Sequence, residues 1–418
     1  MSAPDWPAQL RRLDEAMSAA TMAPRLTAAL GRPGPCHLLD AKVEPGVRAE
    51  LLYEHAGRLV RGDLLAPGDD GHGDGPDGLV VEPGVRLAPF PHDPDLPTLR
   101  AACDPDVLGP AVAAALGRPT RGRPSVRLLR YRPAKRVTLL LRDAGTAHVA
   151  KVYHQPHKAA AVAEEAPRLL ASLGAGPLAL APTVASLPEL AVVVQEQVAG
   201  VPLDALLGAR GVAGPGLWHG LDLAGAALAA FHALPVVSAR SRPVEAELVR
   251  FTGRASRVAL LDPALGAALT ELAARLTEAH DRLPAARVGT VHGDCKPGQF
   301  LLGPTRTHLL DLDHCGTADQ AVDAGTFLAT LRQLATRQSL AGRLRPGTTV
   351  YAAAGDRFLA AYLRARGSAR EVPRIRWHEA VALERKALRA FARAPRSPLA
   401  AALADEATRC LDHLEEAA

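Results

Sequence analysis

Aromatic residues are scarce in this 418-residue chain, which has seven Phe, five Tyr and three Trp, 4% of the whole. Proteins that bind single-stranded nucleic acid stack bases on aromatic side chains. No block of Lys and Arg interleaved with aromatics occurs to do this. The net charge of +5 comes from 49 basic and 44 acidic residues that alternate along the chain, so no nucleic-acid partner is expected. Cysteine is scarce as well. Cys36, Cys103, Cys295, Cys315 and Cys410 are odd in number and form no CxxC pair, which argues against a disulfide framework or a zinc site. Their expected role is that of small buried apolar residues. No apolar run approaches the roughly 20 residues that a membrane-spanning helix needs. The opening Met-Ser-Ala-Pro-Asp-Trp-Pro has neither the basic nor the apolar part of a signal peptide. A cytoplasmic protein with no membrane partner is expected.

A hydrophobic content of 48% with 22% charged residues suits a globular chain with an ample core, and the length allows two to three domains. Residues 6–30 read as an amphipathic helix stopped by Gly31-Arg32-Pro33-Gly34-Pro35. Residues 36–66 alternate as strands do. The glycine- and aspartate-rich stretch 67–78 mimics a calcium loop, but the twelfth position counted from Asp69 is Val80 rather than Glu, so a surface loop is expected. A strand follows over 79–88, then a helical stretch over 98–116 interrupted at Pro105 and Pro110. Residues 125–153 read as a three-stranded antiparallel meander with Lys151 near its end. A helix over 157–173 turns Val162, Ala166, Leu169 and Leu173 to one face; Glu165 flanks that face and Glu164 points further away. Residues 190–203 read as a buried strand ending in a turn. Helices are expected over 221–234, 319–337, 351–366 and 377–416. Residues 37–63 also echo 125–151 at an offset of 88, with Pro45/Pro133, Arg48/Arg136, Leu51/Leu139, Leu52/Leu140, Ala56/Ala144 and Gly57/Gly145 coinciding and Asp63 where Lys151 falls. Two readings stand: chance similarity in a biased composition, or a duplicated hairpin that forms an N-terminal cap sheet.

The most informative stretch is His292-Gly293-Asp294-Cys295-Lys296-Pro297-Gly298-Gln299-Phe300-Leu301-Leu302, followed by Leu309-Leu310-Asp311-Leu312-Asp313. A His-Gly-Asp loop, an apolar strand, a short turn and an Asp-x-Asp strand end bring several oxygen donors to one place. Phosphoryl transfer needs that grouping, with a carboxylate to orient the attacking hydroxyl and carboxylate or amide oxygens to hold Mg²⁺ against the ATP phosphates.

The pattern resembles the aminoglycoside phosphotransferase and choline kinase family. Its H-G-D-x-x-x-x-N, I-D-x-[DE] and later Asp are matched by His292, Gly293, Asp294, Asp311, Asp313 and Asp323. Gln299 stands where the family has Asn, and Lys296 follows a habit of Ser/Thr protein kinases. The resemblance covers roughly residues 125–400 and is specific only over 291–324. It implies an α+β, protein-kinase-like bilobal fold: an extra N-terminal region or cap at 1–120, a small antiparallel-sheet N-lobe at 121–199 and a mostly helical C-lobe at 200–418. It implies ATP and Mg²⁺ as cofactors, Asp294 and Lys296 as catalytic residues, and Gln299, Asp311 and Asp313 as metal ligands. Lys151 would hold the phosphates, paired with Glu165, and the backbone of Glu196 to Val198 would meet adenine. His232 is expected to be structural. The activity implied is phosphorylation of a hydroxyl on a small molecule such as an antibiotic, a sugar or another metabolite. A net charge of +5 does not suggest the acidic pocket that a polycationic aminoglycoside wants. Two alternatives are a Ser/Thr kinase acting on a precursor peptide in lanthipeptide-like biosynthesis, which Lys296 and the N-terminal region suit, and a nucleotide-binding pseudokinase, which Gln299 and the glycine-poor phosphate loop suit.

Overall fold

The protein is seen here as a computed structural model that describes residues 6–65, 79–81, 83–119, 122–143, 145–208, 212–235, 240–344 and 348–416. It packs as two compact units. One takes the chain up to Ala160, Val184–Val194 and Ala392–Pro395; the other takes Ala161–Thr183, Gln195–Phe391 and the chain from Arg396.

The first unit begins with two helices, α1 (Trp6–Met17) and α2 (Ala19–Leu30), where one was expected. Ser18 divides them. Its backbone is extended and its hydroxyl accepts the N–H of Thr21 at 3.2 Å, a helix cap that competes with continuing the helix. Next come β1 (Cys36–Glu44), β2 (Arg48–His55), β3 (Arg58–Leu64), β4 (Leu79–Val81) and β5 (Val85–Pro89), in the order β1-β2-β3-β5-β4. The strand expected over 79–88 is a hairpin folded at Gly84. The acidic stretch 67–78 lies outside the described residues. Helices α3 (Leu99–Cys103) and α4 (Pro105–Ala115) are separated by Asp104, whose carboxylate caps the second; α4 runs on through Pro110, so only one of the two expected interruptions occurs.

The expected meander follows as β6 (Ser125–Arg132), β7 (Arg136–Asp143) and β8 (Thr146–Tyr153). Helix α5 (Pro156–Ala171), for most of its length, and β9 (Leu178–Leu180) belong to the second unit. The sheet is completed by β10 (Thr183–Leu187) and β11 (Val192–Glu196), in the order β10-β11-β8-β7-β6. The echo at 88 residues is a structural one. The register Glu44↔Arg48 recurs as Arg132↔Arg136, and His55↔Arg58 as Asp143↔Thr146. The left-handed turn residue Gly46 recurs as Ala134, and Gly57 as Gly145. This favours the duplicated-hairpin reading over chance. Asp93 ties the two sheets together: it accepts from Arg61 of β3, from the Tyr131 hydroxyl of β6 at 2.8 Å and from the Ala134 N–H at 2.9 Å, all at a buried carboxylate.

The second unit continues with β12 (Val201–Pro202), α6 (Leu203–Leu206), α7 (Leu217–His232), α8 (Glu245–Val258), α9 (Pro263–His280), β13 (Val288–Val291), β14 (Phe300–Leu302), β15 (Thr307–Leu309) and β16 (Gly316–Asp319). It closes with α10 (Ala321–Leu340), α11 (Val350–Arg366), α12 (Val372–Arg393, whose last residues fall in the first unit) and α13 (Leu399–Glu416). The helix expected over 377–416 is interrupted around Pro395 and Pro398, since proline lacks the N–H that a helix interior needs. The few aromatics are spent on the core. Phe300, Phe327 and Phe358 meet among α7, α10 and α11, the last two stacked at 3.6 Å, while Trp377 anchors α8, α9, α12 and α13. Helices α7 and α11 approach so closely at Gly225 that a Cβ there would come within 2.7 Å of the Tyr362 backbone nitrogen. Two small sheets, β12-β14-β15-β9 and β13-β16, carry the loops of interest. The architecture is α+β. The meander pairs β1–β2, β2–β3, β6–β7 and β7–β8 and the hairpin β14–β15 are antiparallel, while β9 runs parallel to β15. Among the described residues no helix is long and apolar enough to cross a membrane.

Candidate active site

The His292–Gln299 loop leaves β13 and returns through a short 3₁₀ turn, Pro297–Gln299, into the β14–β15 hairpin. Gly293 has φ +76, and a side chain there would run into the carbonyl of His314, so the tight turn requires glycine. The loop is fixed from behind by Asp323 on α10. This fully buried carboxylate accepts the N–H of His292 at 2.6 Å and that of Gly293 at 2.8 Å. His232, at the end of α7, gives it a third bond at 3.0 Å and meets the Tyr362 hydroxyl at 2.9 Å with its other nitrogen. His232 is thus structural, as expected. Burial opposes the charge of Asp323, but His232, His292 and these donors outweigh it and hold the carboxyl below its ordinary range.

His292 braces the loop's outer half. Its Nδ1 accepts the N–H of Asp294 at 3.3 Å, and its Nε2 lies 2.8 Å from the carbonyl of Leu310, to which it donates. One ring therefore links the loop to the strand end that carries Asp311. The Asp294 carboxylate is partly open, with Lys296 Nζ 2.5 Å away. Burial pushes its pKa up, but the Lys296 charge and hydrogen bond, with smaller contributions from His314 and His292, overcome that and leave it lowered. An ionised, partly open carboxylate on a braced loop can accept a hydrogen bond from a substrate hydroxyl and aim its oxygen.

Asp311 sits at φ 66, ψ 61, a left-handed conformation uncommon for a residue with a side chain, just before a 3₁₀ turn that carries Asp313 and His314. Gln299 is buried, and its amide lies 3.4 Å from Asp311 Oδ2. These groups suit a magnesium ion. The donors are hard oxygens, and Mg²⁺ takes only one or two protein carboxylates beside nucleotide phosphates and water. Among the described residues no group of three or more His, Cys, Asp or Glu is placed to hold a metal ion. The Gln299 amide is longer than an Asn would be, yet it reaches the Asp311 carboxylate.

The other expected residues fall as follows. Lys151 is buried on β8 in the first unit. Glu165, buried on α5, accepts from Arg240, which also donates to the carbonyl of Asp313 at 3.2 Å. Nothing in the sequence singled out Arg240; its ties to α5 and to the metal-side turn appear only in three dimensions. Glu196 gives its backbone N–H to the carbonyl of Pro182 at 2.9 Å, and Val198 lies just beyond, half-buried. Cys295 and Cys315 are free and buried, and burial raises both thiols, Cys315 to about 12, which fits inert packing residues. His314 and Arg242 are exposed, with Arg242 Nη2 3.5 Å from His314 Nδ1. Burial, opposed in part by Asp294, takes His314 down to about 4, so its ring is neutral near pH 7.

No curated protein sequence matches the chain. Among solved structures it is similar to glucosamine kinase in complex with glucosamine, ADP and inorganic phosphate (18% identity, 95% of this chain and 98% of that one, TM-score 0.45). It is similar also to choline kinase from Streptococcus pneumoniae (12%, 74% and 98%, 0.47) and to macrolide 2'-phosphotransferase from Brachybacterium faecium (18%, 74% and 97%, 0.43). Residues 134–378, more than half of the chain, match the phosphotransferase enzyme family (APH) and span the braced loop, the hairpin and Asp323, and the chain belongs to that family.

Proposed function

We propose that the protein transfers the γ-phosphoryl group of Mg²⁺-ATP to a hydroxyl of a small molecule. Asp294 accepts the hydrogen bond of that hydroxyl, aims its oxygen at the phosphorus and takes up the proton as the bond to phosphate forms. Lys296, already on the Asp294 carboxylate, offers positive charge beside the transferring group. Asp311 and Gln299 would hold Mg²⁺, with Asp313 in support, and the ion would supply charge neutralisation at the phosphates. Lys151, steadied by Glu165, holds the phosphates. Adenine meets the carbonyl of Glu196 and the backbone of Val198, since the Glu196 N–H is taken by Pro182. Residues 1–120 serve as a cap built on a copy of the β6–β8 meander, with Asp63 where the second copy has Lys151.

The observation that carries this reading is the single braced segment that holds Asp294 with Lys296 at 2.5 Å and Gln299 with Asp311 at 3.4 Å. Binding that favours the folded state raises its melting temperature. Mg²⁺-ATP should therefore raise that of the wild type, and Lys151→Ala should diminish the rise. No rise at millimolar nucleotide would defeat the reading.

A further inference from the structure

The turn between β6 and β7 stands at the Lys151 end of its sheet. Its closing pair is Arg132↔Arg136, like charges set directly across from one another, with Pro133, Ala134 and Lys135 between them. Lys151 lies opposite Thr138, two residues along β7 from Arg136, or about 7 Å. Tyr131, Val137, Leu139, Ala150 and Val152 point into the apolar core of the first unit. Arg132, Arg136, Thr138 and Lys151 alternate with them and so share the other face. A glycine-rich loop cradles phosphates with its backbone amides. Here Pro133 has no N–H, that of Lys135 goes to the Arg132 carbonyl at 3.1 Å, and that of Ala134 goes to Asp93 at 2.9 Å. The turn offers charged side chains instead.

Ala134 sits at φ 56, in the left-handed region that disfavours a residue with a side chain. Its counterpart 88 residues earlier is Gly46, at φ 74, for which that conformation carries no strain. An alanine keeps such a backbone only where its surroundings hold it. Asp93 supplies the hold. Its buried carboxylate takes the Ala134 N–H and, at 2.8 Å, the hydroxyl of Tyr131 just before the turn, while Arg61 bonds its other oxygen. Two residues on, the carbonyl of Asp95 accepts from the His154 ring at 3.0 Å, and the His154 N–H goes to the Lys135 carbonyl at 3.0 Å. The segment 93–95 therefore grips the turn at Ala134 and, through His154, at Lys135. Asp93 lies outside residues 134–378, which match the family.

We propose that the Arg132–Arg136 turn binds the ATP phosphates through its basic side chains, Arg136 beside Lys151, and that Asp93 is the positioning residue that holds the turn ready for them. The proposal rests on the reading of Lys151 as the residue that holds the phosphates, and it gives the N-terminal region a part in nucleotide binding. A turn fixed in advance lowers the ordering cost of binding.

Mg²⁺-ATP and adenosine are titrated separately, below the melting temperature of each variant. Adenosine has no phosphates, so a change confined to the turn leaves its binding alone. Asp93→Asn puts an NH₂ group among donors, while Arg61 keeps Asp63 at 2.9 Å and Asp95 at 2.7 Å. It should weaken ATP about tenfold and adenosine not at all. Adding Ala134→Gly removes the strain at φ 56 and should restore part of the ATP affinity. Arg136→Gln leaves the buried network intact and tests the same turn should Asp93→Asn not fold; it too should weaken ATP about tenfold and spare adenosine. ATP binding at the wild-type level in either single variant, equal losses for ATP and adenosine, or no recovery with Ala134→Gly would overturn the proposal. A wild type that binds adenosine no more weakly than ATP would defeat the reading of Lys151 instead, and this proposal with it.

Discussion

Asp323 holds His292 by its backbone, 2.6 Å from carboxylate oxygen to amide nitrogen, in a place with no access to solvent. The same carboxylate takes the N–H of Gly293 and the ring of His232, so one charge on α10 sets the path of the loop that presents Asp294. Asp323→Asn replaces an acceptor-only group with one whose NH₂ must face a donor. It should cost about 3–5 kcal/mol of stability, as expected when one side of a buried charged pair is removed. Activity should fall with the loop's displacement even at temperatures where the variant is folded. Denaturant unfolding and turnover measured side by side check this.

Asp294→Asn keeps the shape and removes the proton acceptor. Mg²⁺-ATP should still stabilise the variant, while kcat falls by about 10²–10⁴, the usual contribution of a positioned acid–base group. Because Lys296 and its neighbours hold Asp294 below the ordinary 3.8, the group stays ionised through neutral and mildly acid pH. No acid limb from Asp294 should appear in kcat/KM above about pH 4. Loss of nucleotide binding in the variant would mean that Asp294 serves the fold rather than the reaction.

Gln299→Asn shortens the stem but keeps the amide oxygen, and should preserve or raise activity. Gln299→Ala removes the donor next to Asp311 and should shift the Mg²⁺ requirement upward by about tenfold, as loss of a group supporting a metal typically does. A Mg²⁺ titration of turnover separates the two. Wild-type behaviour of Gln299→Ala would leave Asp311 and Asp313 to share the ion.

Glu384 on α12 has no exposed surface, and among the described residues neither of its carboxylate oxygens has a hydrogen-bond partner. Burial, then Glu247, pushes its pKa up to about 8. A carboxyl raised in this way is held protonated by the folded state, so the folded state loses relative stability as pH climbs from 4.5 to 8 and no further beyond. Glu384→Gln should match the wild type near pH 4.5 and exceed it by roughly 4 kcal/mol at pH 8. Denaturant unfolding across that range is the test, and parallel curves would contradict it.

The loop and hairpin from His292 to Asp313 were legible in the sequence because their chemistry is local: a glycine that must turn, an amide and carboxylates at short spacing, and an apolar strand between. The meander over β6–β8 was legible from alternation and turn residues. Arg240 and Arg242 were not, since each reaches the turn at Asp313 and His314 from a distant segment whose local pattern only says amphipathic or polar. Ser18, Asp93 and Asp104 escaped for a related reason. A cap or a buried carboxylate acts through its partners, and short polar residues look alike until those partners are known. The long helix over 377–416 was over-extended because apolar periodicity continued on both sides of Pro395 and Pro398.

The paired meanders, in register with each other at 88 residues, have a consequence for biogenesis. A ribosome delivers the first three strands well before the second set, and each set offers edges whose turns match the other's. Cross-pairing of β1 with β7, or of β6 with β2, is the misassembly such a chain must avoid. The bulges differ where the turns do not: one falls between Leu38 and Asp40, the other between Leu128 and Arg130, two residues nearer its turn. A swapped strand would set a bulge against a ladder shaped for another. The offset between the two irregularities makes a swapped pair fit less well than the native one.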